Sequence, residues 1–396
     1  MKYLVLKRRL DVSENPFTEP VSGSSFSGTH FPFDAELRDL SDEDAGEVRR
    51  DQGTEDIIPS IPFTLIEPLA GFEPTTLGQK GWGIEAVRAD ICELDGKGVR
   101  VAVLDTGIDK THPAFDGLDF KANDLMDFTK EARGVPGSAT DIHGHGTHVA
   151  GTIFGRDVDG VRIGIARGIT QVLIGKVIGG SSASTETVFN AIQWALINRA
   201  DIISMSLGMN FQRLWERLTT DGLPPDIALS RALEAYQSNV RLFDRLAGAV
   251  RAGVACGYGA LLVAASGNAS RRSENPLFTV AVAPPAAADG FISVGALSQS
   301  PVAAAPFSNT GCLISAPGIN IPSAKLGGGL TVLSGTSMAT PHVAGVIALW
   351  LQKLFPFGNR PSGWATDVQR ELEKSVKSLP GVARNDVGLG MVQAPE

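Results

Sequence analysis

Four segments of the chain carry residue types that together suit nucleophilic acyl transfer. The first, VAVLDTGID, presents Asp105 just as the chain turns at Gly107. The second, DIHGHGTHVAGT, holds three of the six histidines, His143, His145 and His148, ahead of a small-residue helix. The third, ALLVAASGN, ends on Asn268, and the fourth, LSGTSMATPHVAGVIAL, opens a helix at Ser337. A serine hydroxyl is a weak nucleophile until an imidazole accepts its proton. The imidazole needs a buried carboxylate to fix its tautomer and stabilise the cation that forms. The developing oxyanion needs donors, which a helix N-terminus and a side-chain amide supply. Asp105, His145, Ser337 and Asn268 fill one role each, in the chain order Asp, His, Ser. Gly335 is expected to allow close backbone approach, and Pro341 to sit in the first turn of its helix, where a missing N–H is tolerated.

Such residues must be held at the ends of rigid elements. Short apolar runs at Val99–Leu104, Gln171–Ile178, Asp201–Leu207, Ala260–Ala265 and Phe291–Leu297 are mostly continuous, as expected of strands buried on both faces of a parallel sheet. Helical stretches at Ser184–Asn198 and Ile227–Ala252 lie between them. In the second, Leu229, Leu233, Tyr236, Val240, Phe243, Ala247 and Val250 recur at steps of four and three and predict one apolar face. Strand–helix alternation implies a three-layer α/β domain with a mostly parallel sheet, whose sites form at the carboxyl ends of the strands.

The segments VAVLDTGID, HGTHVAGT, AASGN and GTSMATPHVAG resemble the subtilisin-like serine proteases, the subtilase family, from about Trp82 to the terminal DVGLGMVQAP. The resemblance implies a subtilisin-like fold and serine endopeptidase activity on protein or peptide substrates. It makes Asp105, His145 and Ser337 the triad and Asn268 the oxyanion donor. SMSLG matches the strand that pairs with substrate backbone, so Ser206, Leu207 and Gly208 are expected to line the cleft on the side of the S1 pocket, with Gly267 as the opposite wall. Val282 and Ala283, at the base of that pocket, bring no charge and favour an apolar side chain. His148 and His342 are expected to be structural, His143 a solvated loop residue, and His30 and His112 carry no signal.

Competing readings differ in chemistry. HGHGTH at 143–148 resembles a His-x-His-x-x-His ligand set, which makes a metal-dependent hydrolase using His143, His145 and His148 the rival enzyme. Such a binuclear site needs further His and acidic ligands downstream, and only His342 follows. A catalytically silent subtilase-fold binding module would be marked by a lost triad residue, and none is missing. An α/β-hydrolase is disfavoured because GTSMA is not G-x-S-x-G. No catalytic cofactor or metal is expected. Structural calcium is not supported, because Ala114 follows His112-Pro113 where many members carry Asp, and Arg156–Ile163 lacks the expected Asn.

Residues 1–76 read as a separate small α+β domain resembling the family's propeptide, an inhibitor and folding aid, with 77–396 as the catalytic domain. A strand at Lys2–Lys7, a helix over Ala35–Arg50 and an extended Asp56–Ile66 would suit it, and cleavage between about Ala70 and Gly81 would release it. The span from Gly208 to Leu261 is far longer than one crossover helix of about 11–12 residues needs. It marks a helical insertion at about 209–256 that either borders the cleft, binds a partner or merely decorates the domain. The apolar run Tyr3–Leu6 is shorter than the 7–15 or so residues of a signal-peptide core and ends at Lys7, Arg8 and Arg9. The expected location is therefore the cytoplasm, with a signal-independent export route left open. A net charge of −8 with no long basic run disfavours nucleic acid, and no apolar stretch suits a membrane span. Cys92, Cys256 and Cys312 are too few and scattered for a disulfide framework and are expected to be buried thiols.

Overall fold

The computed structural model describes residues 2–8, 33–69, 78–180, 182–209, 211–255 and 259–396. Strand β1 (Lys2–Arg8) runs antiparallel between β2 (Phe33–Asp39) and β3 (Thr54–Pro59). Its side chains alternate between two faces, as a strand requires. Tyr3 packs with Ala45 and Ile57 under helix α1 (Asp42–Val48), while Leu4 and Leu6 enter the main core. The acidic stretch 35–50, which reads as one helix, is therefore a strand and then a helix. Ala, Glu, Leu and Arg are good helix formers, but seven ladder pairs between β2 and β1 override that preference. Ser41 then starts α1 with a capping box, its hydroxyl accepting from the Asp44 N–H and the Asp44 carboxylate accepting from the Ser41 N–H. The chain goes on to β4 (Phe63–Leu65), which leaves this sheet.

The larger unit starts at helix α2 (Trp82–Ala86). Its strands are β5 (Arg100–Asp105), β6 (Leu125–Asp127), β7 (Val135–Pro136), β8 (Gln171–Lys176), β9 (Ile202–Met205), β10 (Leu207–Met209), β11 (Leu261–Ala265), β12 (Phe291–Leu297) and β13 (Ile314–Pro317). All but β10 form one sheet in the order β13-β12-β11-β9-β5-β8-β6-β7, parallel except for the β6–β7 pair. The five expected runs coincide with β5, β8, β9, β11 and β12. A hairpin of β14 (Ile321–Ala324) and β15 (Leu330–Leu333) stands beside it. The helices are α3 (His145–Phe154), α4 (Thr185–Ile197), α5 (Phe211–Thr220), α6 (Pro225–Ala255), α7 (Thr336–Leu354) and α8 (Trp364–Ser375).

Alternation within the continuous runs divides the core. Val101 and Val103 of β5 face α3, α7 and α8, while Ala102 and Leu104 face α4 and α6. Helices on both faces of a mostly parallel sheet make the expected three-layer α/β unit. The three-stranded sheet lies outside the α4–α6 layer, and Leu4, Leu6 and Ile58 share that layer's core. Buried Asn239 on α6 donates to the Pro59 carbonyl at 2.8 Å, and Arg245 pairs with Asp56 at 3.0 Å.

In its first turns the apolar face of α6 follows a different stripe from the one its sequence suggests, while Phe243, Ala247 and Val250 farther along are buried as expected. Ala228, Ala232, Ala235, Asn239, Leu242 and Leu246 are buried, whereas Leu229 and Leu233 are about half exposed. Small alanines let the start of the helix approach its neighbours closely, and Leu229 and Leu233 there turn outward. Cys312 is buried and Cys92 half-buried, both free thiols, while Cys256 lies outside the described residues. Among the described residues no helix is long and apolar enough to cross a membrane.

Candidate active site

Asp105 ends β5 at the centre of the sheet and is 1% exposed. Its Oδ1 accepts the Thr106 N–H at 2.8 Å and the Nδ1–H of His145 at 2.7 Å. Because Asp105 is an acceptor, the His145 proton sits on Nδ1, and Nε2 carries a lone pair. Nε2 is buried with no hydrogen-bond partner among the described residues.

His145 opens α3, and its position is fixed by groups around it. Gly146 packs so tightly that a Cβ there would lie 2.2 Å from the Gly107 carbonyl, so only glycine fits. Buried Asp141, which the sequence reading did not single out, organises the loop before α3. Its carboxylate accepts the N–H groups of His143, Gly144 and Thr147 and the hydroxyls of Thr106 and Thr147, at 2.6–3.0 Å. Burial pushes the Asp141 pKa up, but the Thr147 hydroxyl and the Gly144, His143 and Thr147 N–H bonds outweigh it and hold the carboxyl below its usual range. An Asp followed six residues later by Thr at the start of a helix was the available signal.

Ser337 is the second residue of α7 and is fully buried. Pro341 lies in the second turn of this helix rather than the first, so the Ser337 carbonyl lacks its usual N–H partner four residues on. The Ser206 hydroxyl supplies a donor to that carbonyl at 3.3 Å. Asn268 follows β11 and presents both ends of its amide usefully. Its Oδ1 accepts the Thr336 N–H at 2.9 Å and the Thr336 hydroxyl at 2.8 Å, which turns Nδ2 toward the cleft. Thr336, adjacent to Ser337, is thus a second positioning residue missed in the sequence. A Cβ at Gly335 would lie 2.9 Å from Asn268 Nδ2 and 3.7 Å from the Ser337 nitrogen, so the two donors border one small space.

The chain's own residues 63–69 run through this cleft. β4 pairs antiparallel with β10, Leu65 opposite Leu207 and Thr64 opposite Gly208. On its other edge Phe63 exchanges two 2.8 Å hydrogen bonds with Ala183. The Ile66 N–H donates to the Ser206 carbonyl at 3.3 Å, and the Leu69 N–H to that of Ser334 at 2.8 Å. Ser337 Oγ donates to the Ile66 carbonyl at 2.9 Å, and Asn268 Nδ2 to that of Glu67 at 3.0 Å.

Residues 96–391 match the model of the subtilase family. The chain belongs to the subtilase family. It is 34% identical over 331 residues to an alkaline protease of Alkalihalobacillus alcalophilus, covering 81% of this chain and 71% of that protein. It is 33% identical over 321 residues to Subtilisin Savinase of Lederbergia lenta, covering 79% and 96%. It is 36% identical over 267 residues to the major intracellular serine protease of Bacillus subtilis (strain 168), covering 65% and 69%. This subtilase is a serine endopeptidase by class, with proteins or peptides as substrates.

The other residues singled out in the subtilase sequence take varied places. Gly208 lies against Ile66, whose Cδ1 would be 3.3 Å from a Cβ there, and Val282 and Ala283 are half-buried just before Pro284, whose carbonyl accepts the Met209 N–H. Gly267 faces Asn309 and Thr336, where a Cβ would meet Asn309 Nδ2 at 2.4 Å. His143 is half exposed, 3.9 Å from Glu67. His112, which carries no signal in sequence, is buried, accepting the Ala114 N–H on Nδ1 and donating from Nε2 to the Gly329 carbonyl. His30 lies outside the described residues. Among the described residues no group of three or more His, Cys, Asp and Glu is placed to hold a metal ion. In the loop where calcium was considered, Arg156 donates to the Phe154 and Ile169 carbonyls, and Arg162 to those of Gly164 and Ile165.

His148 and His342 are both fully buried in the neutral form. His148 donates from Nε2 to the Ile321 carbonyl, and His342 from Nδ1 to that of Met338. Burial lowers their pKa values from 6.5 to about 3 and about 4. Below about pH 6.5 the unfolded chain binds protons at these sites that the folded chain does not. Stability from these residues is therefore complete above that pH and declines as pH falls toward 4. Urea midpoints at pH 7.5 and 4.5, in a Ser337→Ala background that prevents autolysis, should show a smaller acid loss for His342→Gln than for His342. Equal losses would refute the assignment.

Proposed function

We propose that Asp105, His145 and Ser337 are the catalytic triad and that Asn268 and the Ser337 N–H hold the oxyanion. His145 Nε2 accepts the Ser337 hydroxyl proton as Oγ attacks the scissile carbonyl, and the Asp105 carboxylate stabilises the imidazolium. The protonated His145 then passes its proton to the leaving amine, giving an acyl-enzyme that water hydrolyses. Ser206, Leu207 and Gly208 hold the substrate as an antiparallel strand, and Gly267 sets the angle of Asn268 instead of contacting substrate. The observation that carries this reading is a peptide strand in the cleft with Ser337 Oγ 2.9 Å from one of its carbonyl oxygens.

We further propose that residues 1–76 act as a built-in inhibitor of the catalytic unit 77–396, made with it as a zymogen. The resident strand separates the two devices that hydrolysis needs on one carbonyl. Ser337 Oγ points its proton at the Ile66 oxygen rather than at His145, and Asn268 Nδ2 holds the next carbonyl, Glu67. No single carbonyl then has both nucleophile and oxyanion donors, so the strand blocks without being cut. Release by cleavage between about Ala70 and Gly81 follows, within or beside residues 70–77, which lie outside the described ones. Likeness to the intracellular relative favours a cytoplasmic location, which fractionation of the source cells tests.

The test is covalent labelling. A sulfonyl fluoride should inactivate the enzyme in step with one adduct on Ser337, read by peptide mass spectrometry. A chelator should change neither activity nor melting temperature, because guanidinium groups already serve the carbonyls of the 154–165 loop. Chelator-sensitive activity with no adduct on Ser337 would return the reading to the His143, His145 and His148 metal site. Binding of peptides with no turnover and no adduct would favour a silent binding module.

A further inference from the structure

We propose that helix α5 gives the cleft a pocket for a bulky apolar side chain on the third residue before the scissile bond, an inference that rests on reading the cleft as an endopeptidase site. The ladder to β10 fixes the count. Ile66 stands immediately before the bond to be cut, since its N–H meets the Ser206 carbonyl and its own carbonyl meets Ser337 Oγ. Leu65 is then the second residue back and Thr64, opposite Gly208, the third. Both edges of the strand are taken, by β10 and by Ala183, so selection at Thr64 falls to whatever stands over its face. Strand periodicity puts Thr64 on the same face as Pro62, opposite to that of buried Phe63 and Leu65.

That face and α5 border a groove of about 400 Å³. From the helix side Arg213, Glu216, Arg217 and Thr220 line it, at the i, i+3, i+4, i+7 spacing of one helix face, with buried Leu214 beside them. Its wall is mainly apolar, because long charged side chains cover a surface with their methylene stems and keep their heads in water. The helix is held firmly in place. Phe211 meets Tyr236 edge-on with ring centroids 6.0 Å apart, Trp215 Nε1 donates to the Pro225 carbonyl, and Leu214 belongs to the core. Thr64 and Pro62 are small and only half-buried, and the groove has room for a side chain much larger than threonine. The resident strand therefore forgoes contacts that a substrate with leucine or phenylalanine at this position makes. Such a substrate competes for the cleft on better terms, and the strand stays displaceable. The insertion thereby becomes part of the specificity apparatus.

Peptides ending in Phe-x-Leu-Ile before the scissile bond, with Ala, Asn, Leu or Phe as x, test this on the full chain carrying Phe63→Ala to loosen the resident strand. A half-open pocket returns part of the burial energy of a large side chain, so kcat/KM should rise about tenfold from Ala to Leu and at least as much to Phe. Asn, shaped like Leu but polar, should stay within about twofold of Ala. Thr220→Trp, at an exposed position of α5, should fill the groove, and Arg217→Ala should remove part of its wall. Each should bring the Leu peptide down toward the Ala one. A flat series, an Asn peptide as good as the Leu one, or a Leu preference that survives both variants would overturn the proposal. Anisotropy titrations of the same peptides with the protein carrying Phe63→Ala and Ser337→Ala separate the two readings. Graded binding here, with no cleavage when Ser337 is present, keeps the pocket and overturns the endopeptidase reading. Uniform cleavage with ungraded binding does the reverse, and neither binding nor cleavage of any peptide would overturn both.

Discussion

Ser337→Ala should lower turnover by about 10⁶-fold, the scale known for loss of the nucleophile in subtilisin itself. The substitution removes one buried oxygen whose partner is the Ile66 carbonyl. The cost in stability is that of one hydrogen bond, about 1 kcal/mol. It is partly offset because Ala is the better helix former in α7. A shift of only a few degrees in melting temperature is thus expected beside the loss of activity. Near-complete loss with a native circular dichroism spectrum supports a nucleophile. Activity above about a tenth of the parent would exclude Ser337 from that role, provided that the variant no longer takes a sulfonyl fluoride label. His145 is unaffected by the change, so its buried, unpartnered Nε2 would remain able to activate water, and a small residual rate is expected.

Phe63→Ala should raise the initial rate of peptide hydrolysis by the uncut chain up to about 10²-fold. Phe63 is the deepest anchor of the resident strand, fully buried and packed edge-on to Phe243 with centroids 5.6 Å apart. Truncating a buried Phe costs about 3–5 kcal/mol, since it loses both transfer energy and packing. At about 1.4 kcal/mol per tenfold, that corresponds to a change of about 10²–10³ in the equilibrium between seated and released strand. The rate stops rising once release is nearly complete, which sets the ceiling. Thr64→Ala, at a half-buried position on the opposite face of the same strand, should change the rate less than about threefold. Hydrogen exchange at the amides of Phe63 and Ile66, both bonded to the cleft, should accelerate in parallel in Phe63→Ala. Equal initial rates for parent and Phe63→Ala would refute inhibition by this strand.

The parallel sheet and the residues at its strand ends were legible because their signals are local. A continuous apolar run such as Val99–Leu104 has few alternatives to a strand buried on both faces, and Asp105 follows it directly. The same reasoning misassigned Ala35–Asp39, where helix formers were captured by pairing with β1, a partner nearly thirty residues away. It misjudged the start of α6 as well, though not Phe243, Ala247 and Val250, because steps of four and three fit several neighbouring stripes. Which stripe is buried depends on the helix's neighbours, and here close approach favoured Ala228, Ala232 and Ala235 over Leu229 and Leu233. His112 gave no signal because both of its partners, Ala114 and Gly329, are backbone groups with no sequence signature of their own.

By itself, then, the sequence determined the fold class and singled out the four groups proposed as the site, through runs and motifs that act over a few residues. Only the tertiary structure decided how those groups are tuned and who occupies them. Asp141 sets the start of α3, Thr336 turns the Asn268 amide, and Ser206 serves the carbonyl that Pro341 leaves open. The passage of residues 63–69 through the cleft, and the arrival of α5 beside Thr64, also belong to the tertiary level. Each of these depends on contacts between segments far apart in the chain, set by packing and hydrogen-bond satisfaction rather than by local propensity.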